Sequence, residues 1–430
     1  MLFRSKAEVQ KQWFGRTVIH SNKRFHYDEA QQVIETGKGP FAEEILILDH
    51  LAKKLRADRF RKGSIAFEKL EVKFKLDENG KPLGVYLKEN KDANKLIEEF
   101  MLLANRSVAE KVGKSHIVRS EKQKRIEKKE VTEVKVSARP MVYRIHDGPV
   151  SERLLNFAQF AGRWGYKLKV NSDREIAHSL NHLMSQLHGR KEQNVLEQLA
   201  IRTMSKAMYT TDNIGHYGLA FDYYTHFTSP IRRYPDVLVH RLLEHYLNSK
   251  DSVDKDLLEL QCKHSTQMEI RASEAERASV KYKQVEFLQD KVGQIFDGLI
   301  SGVTEWGLYV ELVENKCEGM IRLRDLDDDF YEFDETSYCV IGARTKKKYT
   351  MGDKVKVQVV RCDLLKKQID FKMVRDLGTP YEREHGVSQH FPRRQGTSAP
   401  KQRSEKKKNQ GWPKGKQKPK QSFSRGKRKK

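Results

Sequence analysis

The spacing of apolar positions divides the chain into a mixed stretch, a short alternating stretch and a polar end. The opening "GRTVIHSNKRFHYDEAQQVIE" (15–35) predicts a strand, a short turn and a helix start, which reads as the interior of a domain. "FAEEILILDHLAKKLRADR" (41–59) places apolar residues at helical spacing. "SIAFEKLEVKFKLDENGKPLGVYL" alternates apolar and polar on either side of "DENGKP" and predicts a β-hairpin. "DANKLIEEFMLLANRSVAEK" (92–111) predicts a strong helix with an Asp near its start. Residues 120–136 are dense in charge and lack a core face, so they are expected to form a solvated loop or hairpin. Helical spacing dominates 148–248, and a long helix is expected over about 254–288.

Beyond that helix the period shortens. "VGQIFDGLISGV", "WGLYVEL", "EGMIRL", "DKVKVQVVRCD" and "KKQIDFKMV" are brief alternating runs separated by turn residues, the pattern of a small β-barrel. After Pro380 the chain turns to Lys, Arg, Gln, Ser, Gly and Pro, with Glu405 as the one acid from Arg393 onward. Such a segment has too little apolar surface to bury and is expected to be disordered. The fold class expected is α+β, with a sheet-and-helix domain over 1–288, a barrel over 289–376 and a basic tail over 377–430.

Composition adds a partner. The 430 residues carry a formal net charge of +24, which favours a polyanion. No apolar run approaches the roughly 18 residues that span a bilayer, and the first residues lack a signal-peptide core. Cys262, Cys317, Cys339 and Cys362 are scattered with no CxxC pairing, as expected of reduced thiols in a cytoplasmic protein without a zinc site. The surplus therefore points to nucleic acid rather than membrane. In the barrel, Phe296, Trp306 and Tyr309 alternate with glycines, and aromatics on a barrel face can stack unpaired bases. Each is as readily a core residue. The tail fits non-specific phosphate attraction, with the ribosome a candidate second partner, or is a solubilising extension.

One segment stands out. "HFTSPIRRYPD" (226–236) sets Arg232 and Arg233 between two prolines. Thr228 and Ser229 suit a helix cap and Pro230 a first helical turn, so both arginines are expected on the opening turn of a helix that runs to about Leu247. A helix N-terminus and a guanidinium fork both suit phosphate. The plainer alternative is an arginine–carboxylate pair joining two helices, which suits one of the two better than both.

"HYGLAFDYYTHFTSPIRRYPDVLVHRLL" resembles the signature of the ribonuclease II/ribonuclease R family and its catalytic RNB domain. "NKRFHYDEAQQVI", "KGSIAFE", "ANKLIEEFMLLANRSVAE" and "YRIHDGPVSERL" resemble the second half of that domain, in the same order. "SEAERASVKYKQVEFLQDKVGQIFDG" resembles its closing helix, which leads into "GQIFDGLISGVTEWGLYVEL", similar to an S1 domain of the OB-fold type. The basic tail after S1 points to the ribonuclease R type. The resemblance implies magnesium-dependent, processive 3′–5′ hydrolysis of single-stranded or structured RNA to nucleoside monophosphates by a monomer. It implies that Arg232 stabilises the scissile phosphate and Phe67 stacks on bases near the 3′ end. Tyr27 and Glu98 would contact the ribose, and Glu276 would lie near the RNA path. Without the resemblance, Tyr27 and Phe67 read as sheet packing, and Glu98 and Glu276 as helix salt bridges.

The family's magnesium loop, of the form D-x5-D-x-D-D-A, does not occur in these residues. The nearest likeness, "RDLDDDFYEFDE" (324–335), falls inside the barrel and reads as a solvated loop. No metal ligands are therefore assigned. The chain is expected to be the C-terminal portion of a ribonuclease, as a fragment or from a split or misassigned gene. The alternative is a truncated, non-catalytic RNA-binding protein. A merely ribosome- or membrane-associated basic protein leaves "HFTSPIRRYPD" unexplained.

Overall fold

The computed structural model describes residues 2–3, 9–65, 71–114, 116–120, 124–126, 129–131, 134–187, 190, 193–249, 251–335 and 338–374. Residues 375–430, and with them the whole expected tail, lie outside this set, as does Phe67.

The first strands, β1 (Leu2–Phe3) and β2 (Val9–Lys11), pair antiparallel. The strand expected just after them is absent. Residues 12–26 are irregular, and Val18 and Ile19 are fully exposed, so two adjacent β-branched residues here lack a neighbouring strand to pair with. Helices α1 (Tyr27–Thr36), α2 (Ala42–Arg61) and α3 (Asp92–Gly113) pack on one another and enclose the hairpin β3 (Glu71–Leu76) and β4 (Pro82–Lys88) in sequence. The hairpin turn forms because Asp77 Oδ1 accepts the N–H groups of Asn79 and Lys81, while Gly80 takes a φ of 78°.

The described residues of 116–138 form antiparallel pairs, which matches the hairpin rather than the loop expected for 120–136. β5 (His116–Ser120) pairs with β8 (Val134–Ala138), and β6 (Lys124–Ile126) pairs with β7 (Lys129–Val131), both antiparallel. Ladder hydrogen bonds satisfy the backbone even where the side chains give no apolar stripe. β9 (Tyr143–Ile145) then pairs with β10 (Met208–Thr210). Between them lie α4 (Ser151–Arg163), α5 (Asp173–Leu187) and α6 (Gln193–Thr203). A single 3-10 turn (Tyr217–Leu219) precedes α7 (Tyr234–Asn248) and α8 (Lys255–Gln289). α8 has 35 residues and spans roughly 50 Å. Among the described residues no helix is long and apolar enough to cross a membrane.

The barrel closes in the order β11 (Ile295–Val303), β12 (Gly307–Leu312), β13 (Glu318–Arg322), β18 (Gln368–Met373) and β17 (Lys354–Asp363). These are the five runs read from the alternation. An insertion that the sequence did not reveal sits between β13 and β17. It is a three-stranded meander of β14 (Tyr331–Asp334), β15 (Cys339–Gly342) and β16 (Lys348–Thr350). The barrel's glycines reflect close packing, since a Cβ on Gly307 would lie 2.2 Å from the Ile321 carbonyl oxygen.

One apolar core runs from α4–α6 through Val285 and Leu288 of α8 into the barrel at Ile300, Leu308 and Phe371. A second gathers α3, β9, β10 and α7 around Val108, Tyr143 and Val239. The barrel is also tied to α8 by polar bonds, for Lys281 Nζ donates to the Glu318 carbonyl and Gln284 Nε2 to that of Lys316. Leu288 is fully buried where the two domains meet. Leu288→Ala is expected to lower stability by about 2–5 kcal/mol, read as a fall in the urea midpoint. An unchanged midpoint would mean that the helix–barrel junction contributes little.

Candidate nucleic-acid interface

The proline-flanked segment is a turn that stops short of the helix. The Ser229 carbonyl accepts the N–H groups of Arg232 (3.3 Å) and Arg233 (3.0 Å), with Pro230 as the second residue of the turn. α7 begins only at Tyr234, with Arg233 as its capping position and Pro235 in its first turn. The expected start at Pro230 is therefore displaced. No side-chain hydrogen bond caps the helix; instead Asp236, fully buried, accepts the Ser229 N–H at 2.7 Å through Oδ1 and ties the turn to α7. A carboxylate in the first turn interacts favourably with the helix dipole, which favours the later start.

This acid separates the two arginines. Arg233 Nη2 donates to Asp236 Oδ1 at 2.8 Å and forms the arginine–carboxylate pair foreseen for one of them. Arg232 is exposed, and no ion pair to it is formed among the described residues. The segment is fastened on its other side too. Asn105 on α3, itself buried, accepts the N–H groups of Phe227 (2.9 Å) and Thr228 (3.2 Å). His240 stacks on Phe227 with ring centroids 4.0 Å apart and donates to the Phe227 carbonyl at 2.9 Å.

Arg232 opens onto a cleft of about 890 Å³ that runs along α8. Gln261, His264, Met268, Ala272 and Glu276 line it at spacings of three to four residues, one face of the helix. Arg232, Arg233 and Glu276 therefore share one cavity. Tyr27 and Glu98 stand elsewhere. Tyr27 opens α1 and is half exposed. Glu98 and Glu99 are neighbours on α3 with opposite fates. Glu99 is buried and bonded to Arg59, whereas Glu98 is half exposed and lies 3.8 Å from the same arginine. The salt bridge that the sequence allowed for Glu98 is thus made mainly by Glu99. Neither Tyr27 nor Glu98 lines the Arg232 cleft.

A second cleft, of about 910 Å³, lies on the barrel. It is lined by Trp306, Tyr309, Met320, Arg322, Arg324 and Phe330. Trp306 is 70% and Phe330 73% exposed, so both present ring surface to solvent. Phe296 is not among the lining residues. It is partly buried against the core, whereas Phe330, which the sequence reading missed, and the buried Tyr331 line the cleft beside Trp306 and Tyr309. The missed signal was its place at the head of the inserted meander, in a segment read only for its acids.

Those acids hold the insertion together. Asp329 accepts the Thr345 hydroxyl and the backbone N–H groups of Thr345, Arg344 and Phe330, and the Thr345 hydroxyl above all holds its carboxyl well below the usual range. Asp328 pairs with Lys347 at 3.0 Å and accepts the Tyr331 hydroxyl. Among the described residues, no group of three or more His, Cys, Asp or Glu could hold a metal ion.

Behind the arginine turn lies a layer of histidines. His146 and His216 stack with centroids 5.0 Å apart, and His216, Tyr224 and His226 meet edge to face. The Tyr209 hydroxyl lies 2.7 Å from His226 Nδ1. Burial drives the His216 pKa down to about 3, with His146 and Arg144 adding to the effect. Burial, then Arg233, pushes His226 down as well, and burial lowers His146.

Comparison with known proteins agrees with this architecture. The RNB domain model matches residues 1–249, and the S1 RNA binding domain model matches residues 289–373. Ribonuclease R of Aquifex aeolicus is 32% identical over 386 residues, covering 88% of this chain and 52% of that protein. Ribonuclease R of Thermotoga maritima is 34% identical over 373 residues, covering 84% and 49%. A solved structure of Mycoplasma genitalium RNase R, in complex with ribose-methylated single-stranded RNA, aligns with a TM-score of 0.75 at 24% identity, covering 86% of this chain and 56% of that one. The chain thus spans about half the length of the curated relatives it matches.

The histidine layer gives a pH dependence. Depressed folded-state values mean that, below the ordinary histidine pKa of about 6.5, the unfolded chain binds protons that the folded chain does not. Stability is therefore expected to be level above about pH 6.5 and to fall as pH drops toward 4, by at most about 1.4 kcal/mol per pH unit for each histidine. Thermal melts across this range check it, and His216→Gln should flatten the slope. A slope identical in the variant would remove His216 from the account.

Proposed function

Because the chain belongs to the RNB family, we propose that it forms the RNA-gripping and S1 part of a ribonuclease R-type 3′–5′ exoribonuclease. Such an enzyme hydrolyses RNA processively from its 3′ end to nucleoside monophosphates. The observation that carries this reading is Arg232, an exposed guanidinium without an ion-pair partner among the described residues, held over a cleft by a turn bonded on two sides. A guanidinium fixed in advance can stabilise charge that develops on a phosphate without reorganising first. Arg233 acts through Asp236 to position that turn. Glu276 lies along the RNA path, and Trp306 and Tyr309 capture single-stranded bases on the barrel. Tyr27 and Glu98 contact the ribose, whose 2′-hydroxyl both donates and accepts.

RNB-family nucleases depend on divalent metal, and magnesium is the ion proposed here. Two-metal hydrolysis needs several carboxylates around the ions. The described residues display no such group, so no hydrolytic step is assigned to them. That observation favours a second reading, RNA binding without cleavage, for residues 1–430 taken alone. The partner is RNA, bound by a monomer in the cytoplasm, where free thiols are the ordinary state. The domain limits proposed are 1–288 for the RNB part, 289–376 for S1 and 377–430 for the tail.

Purified residues 1–430 are expected to bind a single-stranded or 3′-overhang RNA and, with magnesium, to release no monophosphates. Robust magnesium-dependent turnover by this chain would overturn the assignment. In a longer form that carries the aspartate loop, Arg232→Ala is expected to slow cleavage far more than it weakens binding. Equal losses in both would make Arg232 an affinity residue.

A further inference from the structure

A second cavity exceeds the Arg232 cleft in volume. It measures about 1200 Å³ and shares no lining residue with that cleft. Its walls are the first turns of α4, the connection from α6 to β10, the 3-10 turn after β10, and Tyr338 from the barrel's insertion. Tyr338 packs edge to face on Phe160 of α4, with centroids 5.4 Å apart, so the insertion is seated against this helix.

The lining divides by chemistry. Ile65, Phe157, Leu199 and Leu219 supply apolar surface, and Ile65, Phe157 and Leu199 belong to the buried core. Arg153, Arg202 and Lys206 are exposed and line the same cavity, and no ion pair to any of them is formed among the described residues. No Asp or Glu is among the lining residues. His146 and His216 also line it as a stacked pair. His146 Nδ1 accepts the Gly218 N–H at 3.2 Å, whereas His216 Nδ1 is buried with no hydrogen-bond partner. Val150 and Arg153 bring the N-terminal turn of the 13-residue helix α4 to the wall, which adds the positive end of its dipole. Ligand sites commonly combine an apolar wall with a few polar groups that fix orientation.

An apolar wall suits a ring, three unpaired cations suit a phosphate, and an orphaned ring nitrogen suits a polar substituent. We propose that this cavity is a binding site for a nucleoside monophosphate, with Arg153, Arg202 and Lys206 holding the phosphate and the apolar wall holding the base. A single small ligand carries both features.

The test is calorimetric titration of the purified chain at low salt with AMP and UMP, alongside adenosine, inorganic phosphate and a short single-stranded oligoribonucleotide. Both monophosphates are expected to bind, and adenosine and phosphate alone to bind more weakly. The pair Arg202→Glu and Lys206→Glu is expected to weaken AMP by about tenfold or more, the scale of losing one charge-assisted contact. Arg232→Ala, in the other cleft, should leave AMP affinity intact. Absence of AMP and UMP binding would overturn the proposal, as would binding of the oligoribonucleotide only. Loss of AMP binding with Arg232→Ala and not with the charge reversal would also do so. Should thermal melts show that the double variant does not fold, Arg153→Glu, at an exposed helical position, carries the same test.

Discussion

The buried carboxylate of Asp236 is the constraint on which the arginine segment depends. It accepts the Ser229 N–H and the Arg233 guanidinium through one oxygen, and so ties the turn to the start of α7. Breaking a buried ion pair by removing one partner typically costs about 3–5 kcal/mol, because the other charge is left unpaired in the interior. The pairing also assigns distinct work to two adjacent, chemically identical side chains. Arg233 is committed to the fold, and for that reason Arg232 has a fixed origin from which to reach into the cleft.

α8 carries that cleft to the barrel. Its middle turns line the Arg232 cavity, while its last turns enter the core shared with the barrel strands. A helix serving both purposes has no simple amphipathic stripe, because different turns face different neighbours. Its buried apolar residues sit toward its two ends, Leu258 and Cys262 in the second core and Val285 and Leu288 at the junction.

Much of this was legible from the sequence, for physical reasons. The hairpin around "DENGKP", the long α8 and the five barrel strands all carry strong local periodicity, and the structure contains each of them. The opening strand failed because Val18 and Ile19 have β-branched side chains but no partner strand, and pairing is not a local property. The start of α7 was misplaced because two prolines offered two beginnings, and the choice was made by a buried acid six residues after Pro230. Phe296 turned out partly buried and Phe330 exposed because alternation shows which residues share a face, not which face meets solvent. Asn105 was hidden as one polar residue in an apolar helix, and Glu98 and Glu99 could not be told apart as adjacent letters.

The seat of Tyr338 on Phe160 has a geometric consequence. Among the described residues the barrel is held to the helical layer along α8, by the core around Leu288 and the bonds of Lys281 and Gln284, and separately by this aromatic contact on the inserted meander. A barrel joined at one point could swing; one joined at two is fixed in bearing as well as in distance. The aromatic cleft around Trp306 and the cleft around Arg232 are then two marks on a single ruler. A strand that touched both clefts would need a length set by that separation.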